Sequence, residues 1–292
     1  MSRAQHERRW ARGSKTLSIL AMTHPTGILV FGASAFLLSI IARKTTPDLG
    51  LALRLALTAM FAQAASGVIN DISDIDLDSI AKPWRALPAG LVSVREAKAF
   101  AAAFFVFAVL TSALVSATSC VLLILGVATS ALYSGVLKRT RFSWLVYVVT
   151  YPSFPVWIWI SVGAFRPAIL LVYLVGAPLV FAIHIVHQLR DYDEDERLGM
   201  RGFVHNLGKP KAIAACYSLM AIGPVPLLLT RLHLANPAHL WLLWGAALVH
   251  WLLVAPPMMR FARRREIGDL RRIFRATQLS APLLMTAWLL PV

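Results

Sequence analysis

Apolar residues run through this chain in long blocks rather than in alternation. Nine blocks stand out, at residues 17–42, 49–69, 95–116, 119–137, 142–163, 168–189, 211–230, 239–259 and 270–291. Each is close to or above the ~20 residues that a helix needs to cross the bilayer core. The polar stretches between them are short on one side and longer on the other. The pattern predicts an all-α, polytopic membrane bundle of nine transmembrane helices, with residues 17–292 as a single domain behind a polar interfacial tail at 1–16. Prolines inside several blocks, Pro152, Pro155 and Pro178 among them, can kink a membrane helix, with neighbours satisfying the freed carbonyl. For most of these sites the plainer reading holds, that proline is commoner in membrane helices than in soluble ones.

Composition agrees. Of 292 residues, 58% are hydrophobic and 15% charged, against roughly a quarter charged in soluble domains. The net charge of +15 invites a nucleic-acid reading until the basic residues are placed. With the first residues inside, 24 of the 29 Lys and Arg fall on the inner side or at inner helix ends. Only Arg43, Lys44, Arg54, Arg166 and Arg231 fall outside. That is the positive-inside pattern. It predicts a multi-pass cell-membrane protein with a cytoplasmic N-terminus, facing anionic membrane lipid and no nucleic acid. Cys120 and Cys216 lie far apart in separate apolar blocks and are read as small hydrophobes.

Against this background the acidic residues are conspicuous. Nine of the 14 fall in two clusters, Asp71–Asp78 and Asp191–Glu196, both on the predicted cytoplasmic side. If the first cluster continues the second helix, Asp71, Asp74 and Asp78 lie within about 60° of one another at about 100° per residue. Asn70 joins that stripe, and Asp76 faces away as a solvated neighbour. Asp191 and Asp195, four apart, form a second pair of the same kind. Crowded carboxylates must take up protons or share a cation. Hard oxygen donors select Mg²⁺, which uses one or two carboxylates together with substrate phosphates and water. Lys82 and Arg85 follow the first cluster. Tyr133, Lys138 and Arg139 close the fourth block, and basic residues also follow the second cluster. Carboxylates, metal and basic side chains together suit a polyphosphate ligand. His187 lies four residues before Asp191 on the same stripe and is a further candidate. His24 and His184 are read first as packing residues.

The stretch Asn70-Asp71-x-x-Asp74-x-x-x-Asp78, followed by Lys82-Pro83-x-Arg85-x-x-Pro88-x-Gly90, resembles the first motif of the UbiA superfamily of intramembrane prenyltransferases. Asp191-x-x-x-Asp195 with Gly199 resembles its second, and Tyr133 with Leu137-Lys138-Arg139 its fourth-segment ending. The resemblance implies a helical bundle around a central cavity with a cytoplasmic cap. It also implies two Mg²⁺ ions held by the two Asp motifs and a prenyl diphosphate bound through them. The prenyl group then passes to an aromatic or other lipid-pathway acceptor. On that reading Asp71, Asp74 and Asp191 are catalytic, and Asn70, Asp71, Asp74, Asp78, Asp191 and Asp195 hold metal. Asn70, Lys82, Arg85, Tyr133, Lys138, Arg139 and His187 meet the diphosphate. Two departures bear on the acceptor. His187 stands where members often carry Asn, and Thr23–Gly27 only loosely matches the start of helix one in quinone-pathway members.

Two other functions compete. A terpene cyclase on the same scaffold would capture the carbocation within its own chain and need no acceptor. A cation transporter would place its ionisable groups near mid-membrane at broken helices, whereas these carboxylates sit at helix ends.

Overall fold

The structure, a computed structural model, describes residues 15–43, 47–233, 237–264 and 266–290. Among these residues every regular element is helical. Eight helical stretches are long and apolar enough to cross a membrane, and the protein is a multi-pass membrane protein. The ninth block forms the helix Ile267–Leu289, but Asp269, Arg271, Arg272 and Arg275 near its start shorten the apolar stretch below a full span. Residues 1–14, which hold most of the predicted tail, lie outside the described residues. The chain divides into two compact units.

The first unit runs to Val136 and takes in Ile160–Ala164. It contains α1 (Lys15–Met22), α2 (Pro25–Ala42), α3 (Leu49–Ser73), α4 (Ile75–Ala81), α5 (Val94–Ala113) and α6 (Ala117–Gly135). Helix α3 is its centre and packs against α2, α5 and α6. Ala52, Ala56, Ala59, Ala64, Ala65 and Gly67 are buried along it. Such small residues let neighbouring backbones come close without a hydrophobic drive between helices. Asp48 caps α3, accepting from the Leu51 amide at 2.9 Å. Thr58 donates to Thr111 at 2.9 Å across α3 and α5.

The first apolar block is not one helix. It breaks at His24 because Pro25 has no amide to donate and disfavours helical backbone in the residue before it. His24 adopts φ 54° and ψ 66°. Proline then serves as the first residue of α2, where its missing donor costs nothing.

The second unit holds Leu137–Trp159 and the residues from Phe165 on. A 3₁₀ turn, Leu137–Arg139, leads to α7 (Ser143–Ser161), whose last two residues belong to the first unit. A second 3₁₀ turn, Pro167–Leu171, leads to α8 (Val172–Arg197). There follow α9 (Phe203–Leu207), α10 (Lys209–Ile222), α11 (Pro224–His233), α12 (Pro237–Arg264) and α13 (Ile267–Leu289). Block 211–230 is split at Gly223–Pro224. A Cβ on Gly223 would stand 2.4 Å from Leu179 Cδ2, so α8 and this corner meet backbone to side chain. Ile185, Val186 and Leu189 of α8 form the core with Val204, Cys216, Met220, Phe261 and Ile273. Buried His250 ties three helices, with Nδ1 2.8 Å from Ser280 Oγ and Nε2 3.1 Å from the Met220 carbonyl.

Helix α8 carries the second acidic cluster almost to its end. Gly199 stops it in the left-handed conformation, φ 71°. The Met200 amide donates to the Asp195 carbonyl at 2.8 Å and the Gly199 amide to Glu196 at 3.1 Å, which satisfies the last carbonyls of the helix. A side chain at Gly199 has open space around it, so only backbone strain opposes one. Gly199→Ala is therefore expected to lower stability by about 1 kcal/mol, read as a small drop in the thermal unfolding midpoint of the detergent-purified protein.

Candidate functional site

In the first unit the acidic stripe is built across a kink. Helix α3 ends at Ser73, Asp74 is its C-cap with φ −99° and ψ 1°, and α4 follows. The sequence reading of one continuous helix is corrected here, but the phase survives. The Asp74 amide donates to the Asn70 carbonyl at 3.0 Å and the Asp78 amide to the Asp74 carbonyl at 2.8 Å. The four polar side chains form two pairs. Asn70 Nδ2 donates to Asp74 Oδ2 at 3.2 Å. Its Oδ1 accepts from buried Ser134 at 3.4 Å, next to half-buried Tyr133 on α6. Asp71 and Asp78 are both buried, while Asp76 is exposed, as the stripe required.

Arg85 joins the second pair. Its Nη1 lies 2.6 Å from Asp78 Oδ2 and 3.3 Å from Asp71 Oδ1. Lys82 Nζ is 3.6 Å from Asp78 Oδ1. Burial of the guanidinium works against its charge, but Asp71, Asp78 and Asp74 outweigh it and hold the Arg85 pKa above its ordinary value. The loop after α4 puts Arg85 there. Ala86, Leu87 and Val92 are buried with Met22 and Val68 in one apolar cluster. Gly90, at φ 69°, turns the chain so that the Leu91 amide returns to the Ala86 carbonyl at 3.0 Å. The arginine is thus anchored by the hydrophobic residues beside it.

The second unit carries the other cluster on α8. Asp191 and Asp195 sit one turn apart near its end, both half-buried. The ring of His187, a turn earlier, is 5.7 Å from that of Phe274 and 6.5 Å from that of Tyr147. Asp193 is turned aside by Lys209, whose Nζ is 2.6 Å from its Oδ1. Lys138 and Arg139 stand in the 3₁₀ turn before α7, half-buried and exposed respectively.

Two features of this unit escaped the sequence reading. Arg190 grips Asp191 with both ends, Nη2 to Oδ2 at 2.8 Å and Nε to Oδ1 at 3.3 Å, and lies over the Phe274 ring at 5.3 Å. The sole signal was a cation directly before Asp191, and adjacent residues do not share a helix face. Gln188 is a clamp: its Oε1 accepts from the Val204 amide at 2.9 Å and its Nε2 donates to Ser143 Oγ at 3.2 Å. The segment after the motif is thereby fastened to α8 and α7.

The donors in both motifs are oxygens, which fits Mg²⁺. Among the described residues no three His, Cys, Asp or Glu side chains converge into a ready-made metal cage.

A model of the UbiA prenyltransferase family matches residues 28–280. The chain belongs to this family. Relatives include digeranylgeranylglyceryl phosphate synthase from Methanoculleus marisnigri, 33% identical over 42% of this chain and 43% of that one. The enzyme of that name from Saccharolobus solfataricus is 27% identical over 56% of this chain and 61% of its own. In these two the matched stretch spans less than two thirds of the relative's length. A 4-hydroxybenzoate octaprenyltransferase from Vibrio cholerae is 24% identical over 63% of this chain and 66% of that one. Among solved structures, a UbiA homolog from Archaeoglobus fulgidus bound to GPP and Mg²⁺ superposes with a TM-score of 0.71. It is 17% identical and covers 92% of this chain and 99% of that one. At that identity the likeness is one of fold, and it extends the UbiA fold over nearly the whole chain.

Removing the guanidinium would leave Asp71 and Asp78 buried beside each other. Arg85→Leu is expected to cost about 1–3 kcal/mol of stability, whereas Asp76→Asn at an exposed position should stay within about 0.5 kcal/mol. Thermal unfolding of the two variants side by side checks this. Equal effects would contradict the pairing.

Proposed function

We propose that this UbiA-family protein is a Mg²⁺-dependent prenyltransferase, moving a prenyl group from a prenyl diphosphate to a lipid-like acceptor within the membrane. The observation that carries the reading is the buried pair Asp71 and Asp78 gathered under Arg85 at the end of an apolar helix. Anionic oxygens for a metal and a fixed guanidinium for phosphate stand within one cluster, beside apolar helix surface suited to an isoprenoid. Asn70, Asp71, Asp74 and Asp78, with Asp191 and Asp195, are the proposed metal ligands. Asn70, Lys82, Arg85, Tyr133, Lys138, Arg139 and His187 are the proposed diphosphate contacts. Arg190 joins them, since a guanidinium that grips a carboxylate at both ends can grip phosphate in the same way. Mg²⁺, when bound, neutralises the charge that develops on the departing diphosphate. The protein's own part is to hold the leaving group by these side chains and to keep water from the reacting carbon. The excess of Lys and Arg at the predicted inner helix ends supports a cytoplasmic face for both motifs.

The several relatives named digeranylgeranylglyceryl phosphate synthase favour an acceptor of the glycerophosphate type. The 4-hydroxybenzoate octaprenyltransferase relative favours an aromatic one. Membranes containing the protein, offered a panel of prenyl diphosphates with each acceptor class and with none, are expected to yield a prenylated acceptor by mass spectrometry. A cyclised hydrocarbon or alcohol without acceptor would establish the cyclase reading instead.

Asp71→Ala, Asp74→Ala and Asp191→Ala are each expected to reduce turnover by about 100-fold or more, the scale lost when key charge stabilisation is removed. Asp76→Ala should be mild. Full activity in any of the first three, or in excess EDTA, would refute the assignment.

A further inference from the structure

The break between α1 and α2 sits directly on the first acidic motif. His24 is the only non-glycine residue with positive φ among the described residues. For such a residue the left-handed conformation is unfavourable, and strain of this kind persists where the surroundings fix it. Here the surroundings are α3. The turn rests on Gly67, where a Cβ would meet His24 Cδ2 at 2.9 Å and the carbonyl oxygens of Met22 and Thr23 at 3.0 and 3.1 Å. Gly67 is one helical turn before Asp71. From this seat His24 Nε2 reaches Asp71 Oδ1 at 3.1 Å. An ionised carboxylate only accepts, so the ring nitrogen donates.

We infer that His24 is a positioning residue for Asp71, holding the carboxylate edge-on so that its other oxygen is presented to the metal–diphosphate ligand. His24 and Arg85 both meet the same oxygen, Oδ1, at 3.1 and 3.3 Å. A carboxylate pinned at one oxygen by two donors from different elements has little rotational freedom left. Its Oδ2 edge is preset, and binding need not freeze it. The feature is spread over three places in the sequence: Pro25 breaks the helix, Gly67 admits the turn, and Asp71 receives the bond. Each has a separate steric or polar reason on this structure, and together they place one ring nitrogen. The inference rests on the proposed role of Asp71 as a metal ligand.

The test separates the turn from the bond. His24→Gly keeps a residue at ease in left-handed backbone but removes the donor, and His24→Gln restores a side-chain N–H of similar reach. Binding of inorganic diphosphate in the presence of Mg²⁺ is measured by calorimetry on the full chain in detergent, with unfolding midpoints recorded alongside. His24→Gly is expected to weaken binding by about 10-fold to 100-fold, the usual loss when a ligand's hydrogen-bonded support is removed, without lowering the midpoint. His24→Gln is expected to recover most of it. Wild-type affinity in His24→Gly, or failure of His24→Gln to bind better than His24→Gly, would overturn the inference. Asp71→Ala serves as the reference. If it too binds as wild type, the metal-site reading itself fails. If it loses binding while His24→Gly does not, that reading stands and only the role of His24 is lost.

Discussion

Two carboxylates at the end of an apolar helix repel each other, and taking them out of water costs several kcal/mol apiece unless a cation shares the site. Asp71 and Asp78 meet that condition through Arg85, whose Nη1 touches both. Much of the first unit serves this contact. Ala86 and Leu87 bury themselves with Met22 and Val68 and so fix the loop that presents the guanidinium. Gly90 turns that loop back, and the backbone bonds that continue through Asp74 keep the stripe in phase. The second unit repeats the solution with different parts: Arg190 grips Asp191 while Lys209 draws off Asp193. In both units the protein supplies organic cations to a group of oxygens that would otherwise refuse to gather.

That arrangement also bears on chemistry. A guanidinium already held by carboxylates is oriented in advance, and on the proposed reading its remaining N–H groups can meet a phosphate without the side chain having to be ordered anew. Preorganisation of this sort is where electrostatic catalysis draws most of its strength. The apolar helices around each motif serve the same end, since charge interactions deepen as water is excluded.

Much of this was legible in the residues. Block length carried the membrane reading, and the three- and four-residue spacing of Asp71, Asp74 and Asp78 survived the kink because the backbone bonds continue through it. Asp76 faces solvent as its angle on the helix implied. What periodicity could not show were the interruptions. The first block is continuous in hydropathy, yet Pro25 divides it, and hydropathy is blind to a missing amide. The last block met the length of a span only by counting Arg271, Arg272 and Arg275, which lie within it at the start of α13. Arg190 was hidden for another reason: its contact with Asp191 depends on side-chain reach between adjacent residues, which a helical wheel scores as unrelated. His24 was hidden because its partner is 47 residues away.

The clamp at Gln188 has a consequence for how motion in the second unit can be watched. The Val204 amide sits near the start of a five-residue helix too short to protect itself, yet it is buried and bonded to a side chain of α8. Its exchange with solvent deuterium therefore reports the seating of the post-motif segment on α8 rather than the fraying of α9. A single backbone proton thus acts as a native gauge of whether the segment after the second acidic motif stays seated on α8, readable without a label, a substrate or a turnover.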